Sequence, residues 1–218
     1  MKIKNIAAIC KRKKSIVLFN RYSARGNLMQ YISDGSACYP VVGLPELDGE
    51  SLLTIFGVPE KDRDKYIVRE ADAPEGINLD DADAEERPIE KQGISIVYSG
   101  RVLNPLQTRR GLVFIESRYL SPVSDVMDVL ELYERFTPSG TPYIAAKAGF
   151  LLQAVIMPFD AINQQFVDQM QELTRQCAFA LELKKRTAER EKEEEPEQYS
   201  LNVDPETGEV VGGEGAKE

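Results

Sequence analysis

"SIVLFNRYSARGNLMQYISDGSACYPV", residues 15–41, holds three apolar runs of strand length separated by turn residues. "SIVLFN", Ser15–Asn20, is a continuous apolar run of strand length. Leu28–Ser33 and Ser36–Val41 flank Asp34-Gly35, a short-hairpin signal, because Gly accepts the positive φ that a tight turn demands. Upstream, Ile3, Ile6, Ala7 and Cys10 recur at spacings of three and four, predicting a helix over 3–13 with Lys4, Lys11 and Arg12 on its polar side. Downstream, Leu52, Leu53 and Phe56 predict a second helix, with Asp48 as its N-cap. The predicted order for residues 1–69 is therefore α-β-β-β-α, with "KYIVRE" as a brief edge strand.

The same scheme is expected again after an acidic connector, 70–92. "SIVYS" (95–99) repeats "SIVLF" (15–19), with "GLVFIES" and "RYLSPV" as further strands and "RVLNPLQTRR" as a loop. "SDVMDVLELYERF" is read as a helix capped by Ser124 or Asp125, with Val126, Val129, Leu130 and Tyr133 on one face. "PYIAAKAG" and "FLLQAVIMPF" close this half, 93–159, as an antiparallel pair bent at Gly149. From 160 to 195 a long helix is predicted. Its stripe of Ile162, Phe166, Met170, Leu173, Cys177 and Leu181 gives way after Leu183 to an almost wholly charged run. Residues 196–218 are expected to be a disordered acidic tail, with a transient hairpin at Pro205–Gly208. The expected fold class is α+β, with duplicated antiparallel β-rich halves and a long C-terminal helix.

Charge is unevenly spread. The chain carries 27 basic and 36 acidic residues for a net charge of −9. Yet residues 1–25 contain Lys2, Lys4, Lys11, Arg12, Lys13, Lys14, Arg21 and Arg25 and no acid. That polarity predicts an electropositive surface on an acidic body, suited to a polyanion; a basic helix that merely aids solubility is the competing reading. Arg109-Arg110 form a second basic spot, read either as a phosphate contact or as solvated arginines at a strand entry.

Chemistry is sparsely signalled. The chain has no His, which removes Ser-His-Asp and Cys-His catalysis and most zinc and iron sites. Cys10, Cys38 and Cys177 read as reduced core residues of a cytoplasmic protein. No phosphate-cradling or dinucleotide glycine motif occurs. "NLDDADAEE" (78–86) lacks the turn Gly and closing Glu of a calcium loop and reads as a solvated acidic stretch. Glu116 and Arg118 read as a surface pair. No segment reads as a signal peptide or membrane span. No catalytic residue, metal site or cofactor is expected.

Two loci carry a family resemblance. "NIAAICKR", "SIVLF", "LMQYISDGSACYPV" and "LDGESLLTIF" resemble the opening helix, strand, hairpin and helix of a DNA sliding clamp. "RYLSPVSDVMDVLELYE" with "YIAAKAGFLLQAVIMP" is similar to the last helix and closing strands of bacterial clamps, through Tyr119, Leu120, Asp128, Leu130 and Ala154 to Pro158. The resemblance implies a non-enzymatic homo-oligomer of DNA replication that holds double-stranded DNA by diffuse charge. Lys2, Lys4, Lys11, Arg12, Lys13, Lys14, Arg109 and Arg110 are its candidate DNA contacts. Replication or mobile-element proteins, as of a phage, are the expected partners. The alternative is a structural or adaptor protein that docks through Phe166, Met170, Leu173 and Leu181.

Overall fold

The computed structural model describes residues 2–23, 26–90 and 92–193. One compact unit spans Met1–Ala161 and a second begins at Ile162. The expected tail and its hairpin lie outside the described residues.

The first unit is α+β. Helix α1 (Ile3–Lys13) leads into strands β1 (Ser15–Tyr22), β2 (Leu28–Ser33) and β3 (Ala37–Pro40). Helix α2 (Gly49–Ile55) follows, with the Asp48 carboxylate accepting from Ser51 N at 2.8 Å as the predicted N-cap. Strand β4 (Ile67–Asp72) is the expected edge strand, and β5 (Arg87–Ile89) lies within the connector. Next come β6 (Ile96–Tyr98), β7 (Arg101–Thr108) and β8 (Gly111–Glu116), then a 3-10 segment (Ser117–Val129). Strands β9 (Leu130–Phe136), β10 (Pro142–Ala148) and β11 (Leu151–Ile156) complete the unit. Eight strands form one sheet in the order β4-β1-β2-β3-β11-β10-β9-β5, and β6-β7-β8 form a separate small sheet.

This sheet contains a duplication, at a spacing the "SIVLF"/"SIVYS" match does not reveal. "SIVYS" supplies β6 of the small sheet, so it is not the counterpart of β1. The counterpart is β9, each residue matching the one 114 positions later. Leu18 pairs with Ile32 and Phe19 with Tyr31; Leu132 pairs with Ala146 and Tyr133 with Ala145. Both hairpins close with the same turn. Ser23 N donates to Asn27 O at 2.9 Å and Thr137 N to Thr141 O at 2.9 Å, around Gly26 (φ 77°) and Gly140 (φ 84°). These glycines occupy left-handed backbone that side chains resist. Strands β3 and β11 meet antiparallel at Cys38–Val155, so the two meanders are related by a local two-fold axis through the sheet. At the same spacing α1 matches the 3-10 segment, buried Ile6 and Ile9 standing where Leu120 and Val123 stand. The two helical segments pack side by side, joined by Lys2 N to Pro122 O and Asn5 Nδ2 to Ser121 O, both 2.7 Å.

Three expected elements differ. The helix expected over "SDVMDVLELYERF" is 3-10 up to Val129 and strand from Leu130. Residues 130–136 are half of a central hairpin, so both of their faces are covered, and this mimics helical spacing. "RYLSPV" opens the 3-10 segment instead of forming a strand. "RVLNPLQT" is strand β7 despite Pro105, because β6 pairs only with Arg101–Leu103. At Pro105 the missing N–H therefore faces no neighbouring strand.

Both faces of the large sheet are buried. One carries α1, α2 and the 3-10 segment over Ile16, Leu18, Ile32, Leu132, Ile144 and Ile156. The other is covered by the connector, where Ala73, Ile77 and Leu79 pack on Tyr31, Tyr143, Leu152 and Val155.

The connector is therefore not a solvated loop. Arg135, 1% exposed, donates to the Asn78 and Asp80 carbonyls at 3.0 and 2.9 Å and to Glu86. Lys147 reaches the other Glu86 oxygen at 2.6 Å. Asp81 accepts from Leu152 N at 2.8 Å, and Arg21 grips Asp80 with both nitrogens at 2.8 and 2.9 Å. Acids that composition assigns to water are counter-ions for cations that β9 and β10 bury. An unpaired buried cation costs far more than a paired one.

In the second unit, α3 (Gln164–Glu193) is capped by Asn163, whose side-chain oxygen accepts from Phe166 N at 3.0 Å. Ile162, the expected start of its stripe, precedes the helix.

Candidate nucleic-acid interface

Helix α1 owes its form to Ile6, Ala7, Ile9 and Cys10, which face the sheet and leave the opposite side to solvent. On that side Lys4, Ala8, Lys11 and Arg12 recur at i, i+4, i+7 and i+8, one continuous strip. Lys14 terminates the helix in left-handed conformation (φ 51°), its N–H bonded back to the Cys10 and Lys11 carbonyls. Basic residues in the last turn suit the negative end of the helix dipole, so Lys11, Arg12 and Lys13 have a stabilising role whatever else they do. Lys4 does not. It sits in a first turn that has no acid, where a cation opposes the dipole.

The structure sorts the predicted DNA contacts by what already holds them. Lys13 donates to Ser36 Oγ at 2.7 Å and faces the buried Asp34 carboxylate at 3.4 Å. Asp34 is also fixed by Tyr119 OH at 3.1 Å and by the Ser36 and Ala37 N–H groups, so Lys13 belongs to the hairpin turn. Lys2 donates to Ser124 Oγ at 2.9 Å. Lys11 reaches the Gly57 carbonyl at 3.5 Å, a loose contact that leaves most of its donors open. Lys4, Arg12 and Lys14 are exposed and have no side-chain partner among the described residues.

Arg109 and Arg110 are elsewhere. They form the β7–β8 turn and lie within 5.1 and 4.8 Å of the Phe136 ring. Arg109 is ion-paired with Glu134, 2% exposed, and Arg110 donates to the Gly140 carbonyl at 2.7 Å. Both border a groove of about 1070 Å³ beside the connector and the two hairpin turns, with Arg21, Asn78 and Tyr143. Asp72, Glu75, Asp83 and Glu85 also border it, four acids against three arginines, so its charge does not favour a polyanion. Arg109 and Arg110 thus belong to the β7–β8 turn and not to α1, and their donors are already engaged by Glu134 and the Gly140 carbonyl.

Glu116 is not a surface group either. It is 5% exposed and paired with both Arg101 and Arg118, and Arg118 in turn donates to Tyr119 OH at 2.9 Å. Burial pushes the Cys10 thiol up to about 12, Asp34 adding to the effect, and burial raises Cys38 to about 12 as well. Neither supplies a thiolate at neutral pH. Cys177 is exposed, contrary to its reading as a core residue. Among the described residues no cluster of acids and cysteines fits a metal ion, and no helix is long and apolar enough to cross a membrane.

Of the expected partner contacts, Phe166 is buried and Met170 half-buried, while Leu173 and Leu181 are 52% and 55% exposed.

No family model, curated protein or solved structure matches the chain.

Proposed function

We propose that this chain is a non-enzymatic DNA-associated factor that holds duplex phosphates along the exposed side of α1, as a sliding clamp holds DNA by diffuse charge. The observation that carries this reading is the set of unengaged cations Lys4, Arg12 and Lys14, with the loosely held Lys11, on an acid-free helix of an acidic chain. Stability alone gives no reason for Lys4, whereas phosphate contact does. Ala8, between Lys4 and Lys11, keeps the strip low enough for a rod-shaped polyanion to lie along it. Contacts of this kind position DNA without reading its sequence.

The acidic remainder of the chain confines a polyanion to this side and favours sliding over wrapping. Ring closure, the further step of the clamp reading, would join subunits through the outer strands β4 and β5. Retention on nicked circular DNA, with release when the circle is linearised, tests it.

The phosphate contact itself is tested by the salt dependence of duplex binding. Each phosphate contact removed lowers the slope of log K against log salt by about 0.9. The triple variant Lys4→Ala, Arg12→Ala, Lys14→Ala is expected to bind more weakly and with a flatter slope, equally on unrelated sequences. An unchanged slope rules α1 out as the contact.

A further inference from the structure

Helix α3 has an apolar seam of its own. Phe166, Met170, Leu173, Cys177, Ala180 and Lys184 follow one another at steps of four, three, four, three and four. From Phe166 to Ala180 the steps average 3.5 residues, the period that keeps one stripe against a partner helix. From Leu173 onward every seam residue is exposed, and Leu181 (55%) and Leu183 (48%) widen the stripe on either side.

Charge is arranged to leave the seam clear. Gln169, Thr174 and Gln176 flank it, and none is charged. The ion pairs Glu172–Arg175 (2.8 Å) and Glu182–Lys185 (3.8 Å), with the Gln164–Asp168 bond (2.7 Å), lie off the seam and satisfy one another within the helix. A face that is apolar at its centre and neutral at its margins fits a surface of the same kind, and the chain itself supplies one.

We infer that α3 pairs antiparallel with α3 of a second copy of this chain, centred on Cys177. Cys177 is the midpoint of the seam from Met170 to Lys184, seven residues from each. Antiparallel pairing about it sets Leu173 against Leu181 of the partner helix and Lys184 against Met170, whose apolar surface takes the lysine stem. Parallel pairing in register would instead stack Lys184 on Lys184, a like-charge contact at the core. The paired seam is about 21 Å long at 1.5 Å per residue, so the dimer is weak and concentration-dependent. Being apolar, it persists in high salt, where phosphate contacts are lost, so it stands or falls separately from the DNA reading.

Sedimentation of the full chain in high salt, up to about 1 mM, the weak end of specific association, measures this directly. The expected result is a monomer–dimer equilibrium that Leu173→Glu with Leu181→Glu weakens at least about 100-fold without moving the first unit's thermal transition. A chain that stays monomeric throughout overturns the inference, and so does a dimer indifferent to the double variant. Orientation is read with a short bis-maleimide in a Cys177→Ser background. Met170→Cys mixed with Lys184→Cys is expected to cross-link and Lys184→Cys alone to fail. Efficient linking of Lys184→Cys to itself overturns the antiparallel arrangement.

Discussion

The two repeats of the sheet share a backbone and spend their charges differently. In the first, residues 3–40, the helical segment presents Lys4, Lys11 and Lys14. At the matching positions of the second, residues 117–156, stand Arg118, Asp125 and Asp128. Arg118 is engaged by Glu116 and Tyr119, and the other two positions have changed sign. The strands show a parallel contrast. Arg21 and Arg135 are equivalent and both hold the connector, but the Arg21–Asp80 pair is partly solvated whereas the Arg135 side chain is wholly buried. One architecture thus gives a second repeat that locks the connector down and a first repeat whose Lys4 and Lys14 have no side-chain partner among the described residues.

The largest difference is expected between those arginines. Arg135→Ala strips Glu86 of one of its two buried cations and the Asn78 and Asp80 carbonyls of their donor, and should cost about 3–5 kcal/mol, as breaking a buried pair does. Arg21→Ala removes a partly exposed pair and should cost at most about 1 kcal/mol. Urea unfolding of both variants measures the gap, and equal losses would break the contrast. Next come the equivalent core residues Leu18 and Leu132, 0% and 2% exposed. Each changed to Ala should lose about 2–5 kcal/mol, and similar values would support the two-fold relation.

A smaller effect is expected at the connector itself. Partial burial pushes the Asp83 carboxyl up, but the Asn78 amide and Glu85 N–H, both donating to it at 2.9 Å, hold it below the ordinary carboxylate range. Its contribution is therefore present above the unfolded carboxylate pKa and lost as pH falls through the lowered value. Asp83→Asn should be slightly destabilising near neutrality and indistinguishable from the parent in acid, read from thermal melts across pH. The smallest effect is chemical. With Cys10 and Cys38 both raised to about 12, alkylation of the folded chain at pH 8 should modify Cys177 alone. Fast labelling of Cys38 would show that the connector side opens.

Much of the fold is legible in the sequence where one local rule governs. The Asp34-Gly35 hairpin, the Asp48 cap, the Gly149 bend and α1 each follow from a few adjacent residues. Where two rules compete, the reading fails. Residues 124–136 match helical spacing only because strand β9 is covered on both faces. The repeat was in plain view as "LFNRYSARG" and "LYERFTPSG", residues 18–26 and 132–140. It is masked because α1 and its counterpart share almost no side chains and because "SIVYS" is a nearer match to "SIVLF". The connector misleads by composition, since its acids look solvated unless Arg135 and Lys147, isolated in apolar strands, are first recognised as charges needing partners. For the site, charge counting locates α1. Only the structure separates Lys4, Arg12 and Lys14 from Lys13, which Asp34 already holds, and shows Arg109 and Arg110 at the β7–β8 turn, engaged by Glu134 and Gly140.

Amine acetylation of the chain with and without duplex DNA, mapped residue by residue at low salt, tests the proposed role of the first repeat most directly. Protection of Lys4, Lys11 and Lys14, with Lys61 and Lys65 unaffected, is the predicted outcome. Duplex bound with those three lysines still fully reactive, or no duplex bound at all, would contradict it.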